Sequence, residues 1–127
     1  MKESKIIAVD FDGTCVKNRY PYVGEDIGAA PILKKLVNSG HKLILLTMRD
    51  CGTVLRDALA WFKKNDIPLY GINLNPSQNW SDSRKVFAHY YIDDQNIGCP
   101  TKIEEKSELP YVDWEKVDKI LKDMELY

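Results

Sequence analysis

Four apolar residues, Ile6-Ile7-Ala8-Val9, run directly into Asp10-Phe11-Asp12-Gly13-Thr14, and no other junction in the chain constrains the fold as strongly. A continuous apolar run of this length, ended by Asp and Gly, reads as a buried parallel strand emptying into a tight loop. Two carboxylates one residue apart then stand at the carboxyl end of a strand, the edge at which open α/β sheets bind ligands. Side chains alternate along an extended chain, so Asp10 and Asp12 share a side while Phe11 faces away into packing. Like charges this close repel and raise one another's pKa unless a cation joins them. A hard cation that takes oxygen ligands, such as Mg²⁺, suits the pair. The same five residues also suit a solvated, acidic turn.

The junction recurs twice. Leu43-Ile44-Leu45-Leu46 ends in Thr47-Met48-Arg49-Asp50, and Tyr90-Tyr91-Ile92 ends in the acid pair Asp93-Asp94, with Arg84-Lys85 a few residues upstream. Taken singly, each group has an ordinary structural reading: Thr47 as a β-branched strand end, Lys85 as a solvated surface charge, Asp93-Asp94 as a polar turn. Arg49 can reach a substrate anion, and Asp50 can instead cap the helix that follows.

Between these runs the spacing becomes helical. Residues 14–28 hold Gly, Pro, Asn, Tyr20 and Tyr22, which suits a flap or short hairpin. Pro31 fits the first turn of a helix that carries Ile32, Leu33, Leu36 and Val37 on one face and stops at Gly40. A strand from His41 to Thr47 follows, then a helix from Gly52 to Lys64 with Val54, Leu55, Ala58, Leu59 and Phe62 in phase. Asn65-Asp66-Ile67-Pro68 ends that helix, and Leu69 to Asn73 and Ala88 to Ile92 read as strands. The tail from Asp113 puts Trp114, Val117, Ile120, Leu121 and Met124 on one face of a closing helix. Such alternation implies a parallel sheet with right-handed crossovers.

A chain of 127 residues is one domain, long enough for a core and too short for two. Its net charge of −1 offers no basic field to nucleic acid and no solvating acidic tail. Lys2-Glu3-Ser4-Lys5 leads straight into the first strand, unlike a signal peptide, and no apolar stretch approaches membrane-spanning length. Cys15, Cys51 and Cys99 are odd in number and lack metal-ligand spacing. A reduced, cytoplasmic setting is therefore expected, with Cys15 and Cys51 as small buried filler. His41 and His89 have no partner pattern and are expected to be structural.

In order and spacing, four segments resemble the motifs of the haloacid dehalogenase (HAD) superfamily of phosphotransferases: Asp10 to Thr14, Leu43 to Thr47, a basic residue at Lys85 or Arg84, and Tyr90 to Asp94. The resemblance runs from Lys5 to about Gly98. It implies a HAD-like fold over residues 1–127, a single three-layer, Rossmann-like α/β domain around a parallel sheet. It also implies a Mg²⁺-dependent phosphate monoester hydrolase acting through an aspartyl-phosphate. Asp10 would be nucleophile and metal ligand. Asp12 would be general acid and base through its side chain and a metal ligand through its backbone carbonyl. Asp93 and Asp94 would complete the metal site, either one ligating directly, and Thr47 and Lys85 would hold the phosphoryl group. The acid at Asp12 fits phosphatases, because members acting on carbon–halogen or carbon–phosphorus bonds generally lack it.

Where the family inserts a cap, this chain has room only for a flap after Thr14 and a polar loop from Leu74 to Asp82, so it resembles the capless members. Their sites are covered by a large substrate or by a neighbouring subunit of a homo-oligomer. The substrate is expected to be a phosphorylated small molecule or a macromolecular phosphoester, bound by Thr47, Met48, Arg49 and Lys85. Arg19, Tyr20 and Tyr22 are further candidate contacts, with Tyr20 or Tyr22 at the mouth. Two other functions use similar parts. A signalling receiver domain carries an acid pair, a phospho-acceptor Asp, a Thr or Ser and a Lys, but with the acid pair first and the Lys last. A catalytically weak HAD-like chain would serve as an interaction module.

Overall fold

The computed structural model describes residues 3–106 and 108–127, so Lys2 of the charged lead-in lies outside the described residues. The elements follow in order: β1 (Ile6–Val9), β2 (Val16–Arg19), β3 (Tyr22–Asp26), α1 (Ala29–Asn38), β4 (Lys42–Leu45), α2 (Gly52–Lys64), β5 (Gly71–Ile72), β6 (Tyr90–Ile92), β7 (Thr101–Lys102), β8 (Tyr111–Val112) and α3 (Trp114–Asp123). Four of the strands make a parallel sheet in the order β5-β4-β1-β6. The first apolar run is therefore a central strand, which is why it is apolar on both faces.

Register sorts the side chains into two layers. Ile7 and Val9 lie opposite Leu43 and Leu45 on β4 and opposite Tyr90 and Ile92 on β6. These residues join Leu33 and Leu36 of α1, Trp61 and Phe62 of α2, and Val117 and Leu121 of α3 in one apolar cluster. Ala8 lies opposite Ile44 and Tyr91, on the other face. Right-handed steps from β1 to β4 to β5 put α1 and α2 on the first face and send the return to β6 across the second.

That return, residues 73–89, contains no helix. Amide side chains hold it instead. Asn75, buried, donates to the Phe87 carbonyl at 2.9 Å, while Gln78 accepts the Phe87 N–H at 2.8 Å and donates to the Lys85 carbonyl at 3.0 Å. Tyr91 reaches out of β6 to the same segment, its hydroxyl donating to the Val86 carbonyl at 2.6 Å and accepting the Ala88 N–H at 3.0 Å. The three layers are thus helices, sheet and an irregular crossover.

The helices match the spacing closely. Gly40, at φ 93, and His41 close α1 by donating backbone N–H groups to Val37 and Leu36, the reversed turn that glycine permits. Asp113 caps α3 by accepting the Lys116 N–H. Ile120 and Met124 are a correction: they lie at the exposed rim of α3, and Trp114, Val117 and Leu121 carry the packing. On α2 it is Trp61, donating to Asp26 of the hairpin at 2.7 Å, that packs beside Phe62. The β7–β8 ladder has no alternating apolar signal in the sequence and was not expected from it.

Both histidines are structural, as expected. His41 accepts the Lys5 N–H on Nδ1 at 3.0 Å with Nε2 against the Leu126 carbonyl, and His89 accepts the Ile6 N–H on Nδ1 at 2.9 Å. Each ring pins the entrance of β1 from one side. Cys15 is buried, but Cys51 is exposed, because it is the N-cap residue of α2 at the open edge of the sheet. Among the described residues no helix is long and apolar enough to cross a membrane.

Candidate metal centre

β1 and β6 are parallel neighbours, so both leave the sheet at one edge. They are still paired where the acids begin, since the Asp10 N–H donates to the Ile92 carbonyl at 3.1 Å. One carboxylate oxygen from each of Asp10, Asp93 and Asp94 lies within 4.8 Å of the others. Thr14 organises two of them. Its buried hydroxyl sits 3.2 Å from Asp10 Oδ2 and 3.2 Å from Asp94 Oδ1 and accepts the Asp94 N–H at 3.1 Å, while its carbonyl accepts from Trp114 Nε1 at 2.7 Å. Gly13, at φ 82, completes the loop; a β-carbon there would stand 2.5 Å from Asp94 Oδ2, so a side chain would push the acid away.

Burial, and then the charge of Asp93, push Asp10 up to about 8. Burial raises Asp94 as well. Three crowded carboxylates with oxygen donors only are a donor set for a hard divalent cation. The chain can hold a metal ion here, and Mg²⁺ fits the donors.

Asp12 turns elsewhere. Its two oxygens accept from Arg49 Nε at 2.9 Å and Nη2 at 2.8 Å, a bidentate pair. Arg49 is 0% exposed and also donates to the carbonyls of Val54 at 2.7 Å, Tyr22 at 2.9 Å and Pro21 at 3.4 Å. Its guanidinium carbon lies 5.1 Å from the ring centre of Phe11 and 5.2 Å from that of Tyr20. Arg49 was expected to reach a substrate anion, and the structure corrects this: with its donors used and its faces covered, it holds the acid loop and the hairpin together.

Thr47 stands at the end of β4. Its N–H donates to Asn73 Oδ1 at 2.8 Å and its hydroxyl accepts the Arg49 N–H at 3.1 Å, which leaves the hydroxyl hydrogen without an acceptor among the described residues. Asp10, Asp12, Thr47, Asp93 and Asp94 all line one cavity of about 680 Å³. Met48, 93% exposed, and Tyr20 line it too. Lys85 lines an adjoining cavity of about 300 Å³ that shares Asp10 and Asp93, and both Arg84 and Lys85 line a third cavity that has neither acid. Asp50 does not cap α2; its carboxylate beside Cys51 raises that thiol. Arg19 is committed to Glu25 and Glu108 through ion pairs, and Tyr22, 75% exposed, does not line the acid cavity. Sequence reasoning missed Thr14, Asn73, Asn18 and Gln95 as parts of this region; Thr14 was visible only as the last residue of a motif, and the three amides carried no signal.

No family model matches the chain, and no curated protein matches it. A solved structure from Bacteroides thetaiotaomicron, described as that of a conserved protein coded by a locus of that organism, is 35% identical in sequence, with a TM-score of 0.77 over 96% of this chain and 93% of that one. Identity of that level across nearly both whole chains shows common descent as well as common fold. The chain belongs to the family of that conserved Bacteroides protein.

Proposed function

We propose that this chain is a Mg²⁺-dependent phosphomonoesterase that works through an aspartyl-phosphate on Asp10. The observation that carries the reading is the cluster of Asp10, Asp93 and Asp94 at adjoining strand ends, inside a cavity that Thr47 also lines. Bound by those acids and the backbone carbonyl of Asp12, Mg²⁺ would neutralise phosphate oxygens that otherwise repel an anionic nucleophile. An Asp10 oxygen attacks phosphorus in line, the ester P–O bond breaks, and the leaving oxygen takes a proton from the Asp12 carboxyl. Asp12 then takes a proton from water as that water attacks the phosphoryl group, which releases phosphate and restores Asp10. Thr47 donates its free hydroxyl hydrogen to a phosphoryl oxygen, and Lys85 balances its charge. Arg49 holds Asp12 as a carboxylate between turnovers, so proton transfer requires that carboxylate to turn from the guanidinium toward the cavity and to take up a proton from solvent before the leaving oxygen departs.

Turnover of an aryl phosphate and an alkyl phosphate tests this. Activity is expected with Mg²⁺, none after chelation, and none in Asp10→Asn. Asp12→Asn is expected to lose roughly a hundred-fold or more on the alkyl ester and clearly less on the aryl ester, whose leaving group needs no proton. Full activity in Asp10→Asn, or equal losses on both esters in Asp12→Asn, overturns the respective role.

A further inference from the structure

Tyr20 sits at the turn of the β2–β3 hairpin, 56% exposed, and lines the same cavity as Asp10. One face of its ring is occupied by the Arg49 guanidinium, itself backed by Phe11. The hairpin carbonyls of Pro21 and Tyr22 accept from the same guanidinium, so the ring and the backbone that carries it are fixed by one buried group. An exposed aromatic ring so firmly supported is more than a solvated loop residue. It is a platform that loses little freedom when something stacks on it.

The cation behind the ring also selects what stacks. A guanidinium draws π density toward the inner face, so the outer face is poorer in electrons, repels a second cation and favours an electron-rich planar ring. Met48 adds an exposed thioether, a group that sits well against aromatic rings. Asn18 uses its Oδ1 to accept the Tyr20 N–H at 3.3 Å, its amide donors have no partner among the described residues, and Gln95 brings a second amide to the same cavity. Two amides beside a stacking surface suit the heteroatoms of a planar ring system.

We infer that Tyr20 is a specificity-determining platform for an aromatic ring carried by the substrate, which makes the substrate a phosphomonoester of the nucleoside monophosphate type. The inference rests on the phosphomonoesterase reading above. Adenosine 5′-monophosphate and ribose 5-phosphate present the same primary phosphate ester and differ in the base, so the ratio of their kcat/KM values isolates the stacking contact. In the wild-type chain with Mg²⁺ the ratio is expected to favour the nucleotide roughly ten-fold or more. Tyr20→Ala is expected to bring the ratio close to one, and Tyr20→Phe, which keeps the ring, to preserve most of it. A loss of hairpin structure alone would depress both substrates together and leave the ratio standing, which overturns the inference, as does a wild-type ratio near one. Hydrolysis of ribose 5-phosphate alone would leave the phosphatase reading intact. No turnover of either ester, or of an aryl phosphate, overturns both.

Discussion

Arg49 decides the arrangement of the region through one side chain. A buried guanidinium survives only where its charge and all its donors are met. Asp12 meets the charge, and three carbonyls from the hairpin and α2 meet the remaining hydrogens. Lysine keeps the charge but has no planar fork, so it cannot serve a bidentate carboxylate and three carbonyls at once. Arg49→Lys is expected to lower the unfolding free energy by about 2–4 kcal/mol, since the lost fork leaves buried carbonyl acceptors without donors. Urea unfolding measures it. A loss below about 1 kcal/mol would mean that the pair contributes no more than a surface one. Nothing in Thr47-Met48-Arg49 taken as a sequence signals an inward arginine; its spacing from Thr47 suits an outward and an inward side chain equally.

At the scale of elements, the loop after β4 is held from the next strand. Asn73, just past β5, has φ 54 and spends its side chain on two groups of that loop, accepting from Thr47 N–H at 2.8 Å and donating to the Arg49 carbonyl at 3.3 Å. Asparagine tolerates this backbone conformation better than most residues. Asn73→Ala is expected to cost about 1–2 kcal/mol and to lower kcat/KM about ten-fold by loosening Thr47, while Asn73→Asp, which keeps the acceptor for Thr47, should lose clearly less activity. Equal activity in both variants and the wild type would show that the bracket does not position Thr47. The elements themselves were largely legible: unbroken apolar runs mark central parallel strands, and helical spacing with Pro31, Gly40 and Asp113 marks helix ends. Three strands are shorter than the spans 41–47, 69–73 and 88–92 expected for them, because residues at their ends leave the ladder for side-chain partners, as Thr47 does with Asn73 and Ala88 with the Tyr91 hydroxyl. The helix-free crossover was not legible in its details, since Asn75 and Gln78 hold it by contacts across seven to twelve residues that no local period encodes. The acid cluster was legible because each acid stands directly after an apolar strand.

For the whole molecule, the acid cluster links folding to pH and to metal. Asp10 is pushed up to about 8 in the folded chain, from an ordinary value near 3.8, first by burial and then by Asp93. With the folded value raised, the native state holds a proton that the unfolded chain has released, and its contribution to stability is present below about pH 4 and is lost as pH rises toward about 8. Without divalent cation the chain should therefore be less stable at about pH 8.5 than at about pH 7, a window above the range in which histidine ordinarily charges. A cation needs the carboxylates ionised, so its stabilisation should grow over the same window, reaching about 2.7 kcal/mol at a concentration one hundred times its dissociation constant. Thermal unfolding with a chelator and with excess Mg²⁺, at both pH values, measures the linkage. The Mg²⁺-induced rise in Tm is expected to be larger at the higher pH. Asp10→Asn, which removes one charge from the crowded set, should unfold at a higher temperature than wild type in chelator and show a much smaller response to Mg²⁺. A response to Mg²⁺ that is equal at both pH values and unchanged in Asp10→Asn would place the cation somewhere other than between Asp10, Asp93 and Asp94.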